Sequence, residues 1–410
     1  MTEVSGLLFD LFVIFLAAKT GGALASLVRQ PPVLGELLAG VLIGPYALGL
    51  IGAPGPELVA VFGNPETASQ TLKVAYHLIA ELGVIVLLFF VGLETRLEEV
   101  TQVGARAVAV GILGIVFPFV FGVVLMGAMG WSGFVPLFTA TALVATSVGI
   151  TARVLQDLGA VRTAEARIIL GAAVVDDILA LILLAVVAGL AAGRDLSPLA
   201  VVLLVGQAVG FTVFVALVGR GMMRRYALHL ERLPVPDAPF SLAVVLMLGL
   251  AALAGAVGLA AIVGAFLAGM VLAEAREQYE LERRIEPLYT FLAPFFFVLT
   301  GSQVDWRVFL QPELAVLAGL VTGLAVLGKL LGGGLAALGL APRQVLAIGI
   351  GMVPRGEVGL IVAGLGQSLG IIPPPIFAVV VAMSFLTTLI VPPALALLYR
   401  RTLSGKDFPT

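Results

Sequence analysis

From Ile168 to Ala192 the chain is apolar except for two adjacent carboxylates, Asp176 and Asp177, near its centre. A run of that length is a membrane span, since crossing a bilayer takes about 20 predominantly apolar residues in a helix. A charged side chain at the middle of such a helix costs about 2.5–3.5 kcal/mol on insertion scales, and two cost more. Acids retained at that depth characteristically serve ion paths and proton relays. The pair thus constrains the segment twice: it must be helical, and its carboxylates must be in use.

Composition extends the argument to the whole chain. Of 410 residues, 60% are hydrophobic and 12% charged, against about 25% charged in soluble domains. The net charge of -2 gives no pointer to nucleic acid. There is no cysteine, which excludes disulfides and thiolate metal sites. His77 and His229 are too few for a histidine-built metal centre. Asp10 and Lys19 interrupt the first apolar run and no basic segment precedes it, so it reads as a retained first span rather than a cleavable signal.

Runs of the required length predict an all-α polytopic membrane protein with about thirteen transmembrane helices. They fall at 5–27, 33–52, 75–93, 103–128, 133–155, 167–192, 198–219, 238–257, 259–275, 285–301, 312–339, 344–370 and 374–399. The break near Gly258 is the weakest, and merging there would give twelve. Seventeen of the 23 Lys and Arg residues then lie on one side, against Lys73, Arg194 and Arg307 on the other. By the positive-inside rule the N-terminus is outside and the C-terminus cytoplasmic. Lys19, Lys329 and Arg355 fall inside spans.

Three pieces of the first half recur weakly in the second. Leu37–Gly44 resembles Phe266–Ala273, Leu88–Glu94 resembles Phe297–Gln303, and Val144–Gly159 corresponds in position to Met352–Gly366. Each equivalent lies seven spans on. Seven is odd, so the copies are inverted, as in secondary transporters. The fifth span carries a polar, glycine-containing centre: Thr141, Thr146, Ser147, Gly149 and Thr151. The twelfth carries Pro354, Arg355, Glu357 and Gly359, and proline both lacks an N–H and clashes with the preceding turn. The paired interruptions predict two broken helices crossing at the midplane.

Asp176 and Asp177 project about 100° apart on a helix. One can hold a partner while the other faces a water-filled path. Lys329 is the cation available for pairing. Arg355 and Glu357 either pair with each other or neutralise broken-helix ends. A carboxylate in such a place binds a small cation or a proton, and competition between the two at one alternating site produces exchange. Lys19 and Glu81 read as snorkelling or funnel residues.

Val174–Asp177, Thr141–Leu155, Val326–Lys329 and Pro354–Ala363 together resemble the sodium/proton antiporters of the second monovalent cation:proton antiporter family. Gln30–Pro45 and Phe90–Leu97 are similar to it as well, so the likeness runs from about residue 30 to 395. The resemblance implies a homodimer of thirteen-helix chains, with a dimerisation domain (5–93 and 198–275) and a core domain (103–192 and 285–399) that moves as an elevator. It implies Asp177 as main carrier of Na+ and H+, with Thr146 and Ser147 close to the ion. Asp176 would form a salt bridge with Lys329 that breaks and reforms, and Glu357 would balance helix-end charge. Exchange is expected to be electrogenic, with each elementary charge worth about 2.3 kcal/mol per 100 mV.

The implied setting is the cell inner (plasma) membrane, with lipid, monovalent cations and protons as partners, no nucleic acid and no cofactor. Only 400–410 follow the last span, which argues against a nucleotide-gated arrangement, and Lys19 departs from the family pattern. Potassium, alone or beside sodium, is the alternative substrate. A channel is disfavoured by the absence of a repeated filter motif. An intramembrane aspartyl protease would need aspartates facing each other from different helices, and no G-x-x-x-x-G-K-[ST] motif for nucleotide hydrolysis occurs.

Overall fold

A computed structural model describes residues 5–94, 104–191, 237–273 and 279–403, with short pieces between 206 and 219. Every regular element among them is helical. The longer helices are α1 (Ser5–Leu27), α2 (Pro32–Ile43), α4 (Pro65–Leu93), α5 (Gly104–Ala128) and α8 (Ala164–Ala191), with α3 (Pro56–Phe62) a short connector. α6 (Val135–Val144) and α7 (Val148–Asp157) divide the expected fifth span. Then follow α9 (Ala238–Ala256), α10 (Ala261–Leu272), α11 (Leu281–Ser302) and α12 (Pro312–Ala336). α13 (Pro342–Gly351) and α14 (Glu357–Ser368) divide the expected twelfth span, and α15 (Pro374–Leu403) closes the chain.

Nine helices among the described residues are long and apolar enough to cross a membrane, taking α6 with α7 as one. Each expected span except the seventh overlaps a described helix or helix pair. The seventh, 198–219, lies largely outside the described residues, so the count of thirteen stays an expectation. Arg96, Arg194, Arg220, Arg224, Arg225, Arg232 and Arg276 also lie outside them.

Local chemistry sets the boundaries. Asn64 Oδ1 accepts from Glu66 N at 2.8 Å, and Pro65 occupies the first helical position, so α4 begins earlier than the expected 75. α2 ends at Ile43 rather than near 52 because Gly44-Pro45 follows and the chain turns back. At the doubtful break, Gly258 adopts φ 82°, and Leu259 N donates to Ala254 O at 2.9 Å. That is a Schellman ending, and it makes α9 and α10 separate helices.

The packing falls into two groups. α2 packs on α1 and α11, α4 on α10 and α11, and α10 on α9. In the second group α12 packs on α5, α13 and α15, while α6 packs on α5, α8 and α14. α7 reaches across, touching α2 and α4 as well as α8 and α15. α11, expected within the core segment 285–399, lies instead against α1, α2 and α4.

The weak repeat has a physical counterpart in the first group. A methyl group at Gly40 would overlap the carbonyl of Val298, and one at Gly301 that of Leu37, so α2 and α11 cross in backbone contact. Methyl groups at Gly269 and Gly92 would overlap the carbonyls of Phe89 and Phe266, so α10 and α4 cross alike. These are the same positions in the two repeats: Gly40 matches Gly269, Gly92 matches Gly301, and Leu37 matches Phe266. Gly35 against Gly21 and Gly264 against Leu250 repeat the match between α1–α2 and α9–α10. Without a hydrophobic force between helices in lipid, such small-residue contacts decide association.

Candidate functional site

Two helix breaks meet inside the second group. α6 ends where Ala145 turns to ψ 131°, and Ser147 stays extended before α7 begins. α13 ends at Gly351, and Pro354 and Gly356 keep the chain irregular until α14. The breaks are joined directly: Ser147 N donates to Pro354 O at 2.7 Å. Thr146 Oγ1 donates to Met352 O at 3.3 Å, and Thr151 Oγ1 to Gly351 O at 2.6 Å. Two negative helix ends (α6, α13) and two positive ones (α7, α14) therefore face one small volume.

The charged residues sort themselves onto these ends. Asp176 is fully buried; its Oδ2 accepts from Thr146 N at 2.8 Å and its Oδ1 from Lys329 Nζ at 2.7 Å. Lys329 is also fully buried, with its side chain along Gly114 of α5. Arg355 Nη1 donates to Met352 O at 3.1 Å and to Val353 O at 2.8 Å, and Nη2 to Ala325 O at 3.3 Å. Its guanidinium thus covers the carbonyl end of α13, where a cation is favoured. Its own N–H donates to Thr387 Oγ1 at 3.1 Å, and its carbonyl accepts from Thr388 Oγ1 at 3.0 Å. Glu357 is the first residue of α14; its side chain lies outside the described residues.

Asp177 takes the other direction. It lines a cleft with Thr146, Ser147 and Gly356, roofed by Val84, Ile262 and Phe296. A second cleft, beside α14, brings Thr300, Gln303 and Leu360 to Arg355 and the far side of Gly356. Gly356 must stay bare, because a methyl there would lie 2.6 Å from Ser147 Oγ. Carboxylate, hydroxyls and break carbonyls form an oxygen-rich set of the kind that suits hard cations. No group of three or more His, Cys, Asp or Glu that could hold a resident metal occurs among the described residues.

Asp176, Asp177, Thr146, Ser147, Lys329 and Arg355 are thus brought together. Thr141 is not in the site; its hydroxyl donates back to Leu137 O at 2.7 Å. Lys19 donates to Thr290 O at 3.0 Å over the Phe15 ring, and Glu81 lies 3.9 Å from His77, both away from the breaks. The sequence reading passed over Thr387 and Thr388. It also missed a buried cluster of Glu36, Arg153 and Asp157, since Arg153 was counted as an interfacial charge. The signal was present: Glu36 is the lone charge in α2, and Arg153 and Asp157 stand four apart on α7.

With this geometry established, the likeness to known proteins is specific. The family model for the transmembrane sodium/hydrogen exchangers matches residues 12–400. The chain is 37% identical to the high-affinity Na+/H+ antiporter NhaS3 of Synechocystis, over 95% of this chain and 89% of that one. It is 35% identical to the Na+/H+-K+ antiporter GerN of Bacillus cereus, over 97% of each. The fold resembles that of the sodium proton antiporter MjNhaP1 from Methanocaldococcus jannaschii, with a TM-score of 0.65 and 17% identity over 98% of this chain and all of that one. The chain belongs to the sodium/hydrogen exchanger family.

Proposed function

We propose that this membrane protein exchanges sodium for protons at a single site built around Asp177. The observation that carries the reading is the division of labour between neighbours. Asp176 is tied to Lys329 and to the amide of Thr146, while Asp177 lines the cleft with Thr146, Ser147 and Gly356. Asp177 carries either the cation or a proton, and Thr146 and Ser147 complete the cation's oxygen shell. Arg355, with Glu357, balances the facing helix ends. A cation arriving at Asp177 competes with Lys329 for the carboxylate pair, so ion binding loosens the salt bridge.

The helices around the breaks move as a body against the scaffold, in the manner of an elevator. The packing of α11 on α1, α2 and α4 supports a boundary after Ser302 rather than before it. Two chains pair through the scaffold, where Leu8, Phe9, Phe12 and Leu16 of α1 are exposed to lipid or a partner. The N-terminus lies outside and the C-terminus in the cytoplasm of the inner membrane, following the Lys/Arg bias. Net charge moves in the cycle, so exchange is electrogenic. Transport of potassium beside sodium is the second reading, favoured by the likeness to an antiporter named for both ions.

The test is proton movement in sealed proteoliposomes with an imposed pH gradient. Sodium and lithium should collapse the gradient, choline should not, and Asp177→Asn should abolish the response while leaving the protein folded. Collapse by potassium too would select the second reading. Robust exchange by a correctly inserted Asp177→Asn protein would remove Asp177 as the carrier.

A further inference from the structure

Away from the helix breaks, one buried ionic cluster joins the two packing groups. Arg153 on α7 donates through Nε to Asp157 Oδ1 at 2.8 Å and through Nη2 to Glu36 Oε1 on α2 at 3.1 Å. Asp157 reaches on to α2, where its Oδ2 accepts from Val33 N at 3.3 Å. α2 has no side-chain cap of its own, because Pro31 occupies the capping position. Asp157 therefore satisfies an end amide of a helix in the other group, at the positive end of its dipole. The Arg153 guanidinium lies 5.3 Å from the Tyr289 ring and 5.6 Å from the Phe297 ring, both on α11. Arg153 and Glu36 are nearly inaccessible, and Glu36 Oε2 accepts no hydrogen bond.

The opposite side of the crossing has no such tie. α10, the repeat counterpart of α2, carries no charged residue, and α14, the counterpart of α7, carries none after Glu357. There the second cleft runs between α14 and the end of α11, past Gln303 and Leu360. The molecule is clasped on the α7 side, and the α14 side carries only a small cleft.

We propose that Arg153 is a positioning residue, the cation of a one-sided latch with Glu36 and Asp157 that holds the moving body against the scaffold in this state. The proposal rests on the alternating-access reading above. Transport in either direction must part α7 from α2, and the latch sets how readily that happens. Removing the guanidinium leaves two buried carboxylates facing each other, which turns attraction into repulsion. The equilibrium then shifts toward the state in which the α7 side is open.

The chain contains no cysteine, so single cysteines report the two sides without background. Ile150→Cys probes α7 where it is fully buried against the scaffold, and Leu360→Cys probes the α14 cleft. Both are reacted with a maleimide in the full-length, detergent-solubilised protein. With Arg153 in place, Leu360→Cys should react fast and Ile150→Cys slowly. Adding Arg153→Gln should raise the Ile150→Cys rate at least about tenfold and lower the Leu360→Cys rate, and Arg153→Lys should fall between. Unchanged rates at both positions would overturn the latch. Faster reaction at both, with a lowered melting temperature, would also overturn it by marking a merely structural cluster. Exchange that survives Asp177→Asn would instead defeat the carrier reading, leaving the labelling result to judge the latch separately.

Discussion

The two helix breaks share a backbone plan and differ in what satisfies it. In the first, the amide of Thr146 donates to a carboxylate, Asp176, whose charge is balanced by Lys329. In the second, the amide of Arg355 donates to a hydroxyl, Thr387, and the cation belongs to the break itself, with Nη1 and Nη2 donating to carbonyls. The same contrast recurs outside the breaks. The glycine crossings of α2 with α11 and α4 with α10 match residue for residue, whereas the Glu36–Arg153–Asp157 cluster has no charged counterpart. Small residues carry the symmetry of the fold, and charges break it. A repeat symmetric in its charges as well would have no built-in preference between its two open states.

The contrast can be attacked from either side, starting with the charges. Lys329→Ala leaves Asp176 buried beside Asp177 without its cation, and removing one partner of a buried pair costs about 3–5 kcal/mol. The expected outcome is a large fall in melting temperature together with altered charge movement per turnover. A variant matching the parent in both would show that the pair is dispensable. The shared backbone is tested next. Gly40→Ala and Gly269→Ala each force a methyl against a carbonyl and should destabilise by similar amounts, about 1–3 kcal/mol as for overpacked cores. Gly319→Ala, in open space on α12, serves as the control and should be neutral or slightly stabilising. Unequal losses at Gly40 and Gly269 would break the equivalence of the two crossings. The smallest effect is expected at the second break. Thr387→Val removes the acceptor for the Arg355 amide and should cost about 1 kcal/mol, read as a modest thermal shift with exchange retained.

The fold was legible where one physical rule acted alone. Apolar length located α1 and α8 to within a few residues, because a bilayer admits little besides a helix there. Pro354 and the polar centre around Thr146 located the breaks, and the adjacent acids with Lys329 pointed to residues that the fold brings together beside them. Reading failed where the answer depended on a distant segment. α2 was drawn too long because hydropathy does not register the turn forced by Gly44-Pro45. Arg153 looked like an interfacial charge because its partners Glu36, Tyr289 and Phe297 come from α2 and α11. Two carboxylates one residue apart leave open which of them takes Lys329; the resemblance implies Asp176, and Asp176 is the one that accepts from both Lys329 and the Thr146 amide.

α2 and α10 are 12 residues long each, about 18 Å at about 1.5 Å per residue, against a hydrocarbon core of about 30 Å. Both are too short to span that core alone. If Asp177 is carried by a moving body, as proposed, each elementary charge it takes across is worth about 2.3 kcal/mol per 100 mV for the full drop. On that proposal, two helices shorter than the layer they sit in would shorten the stroke over which this work is done.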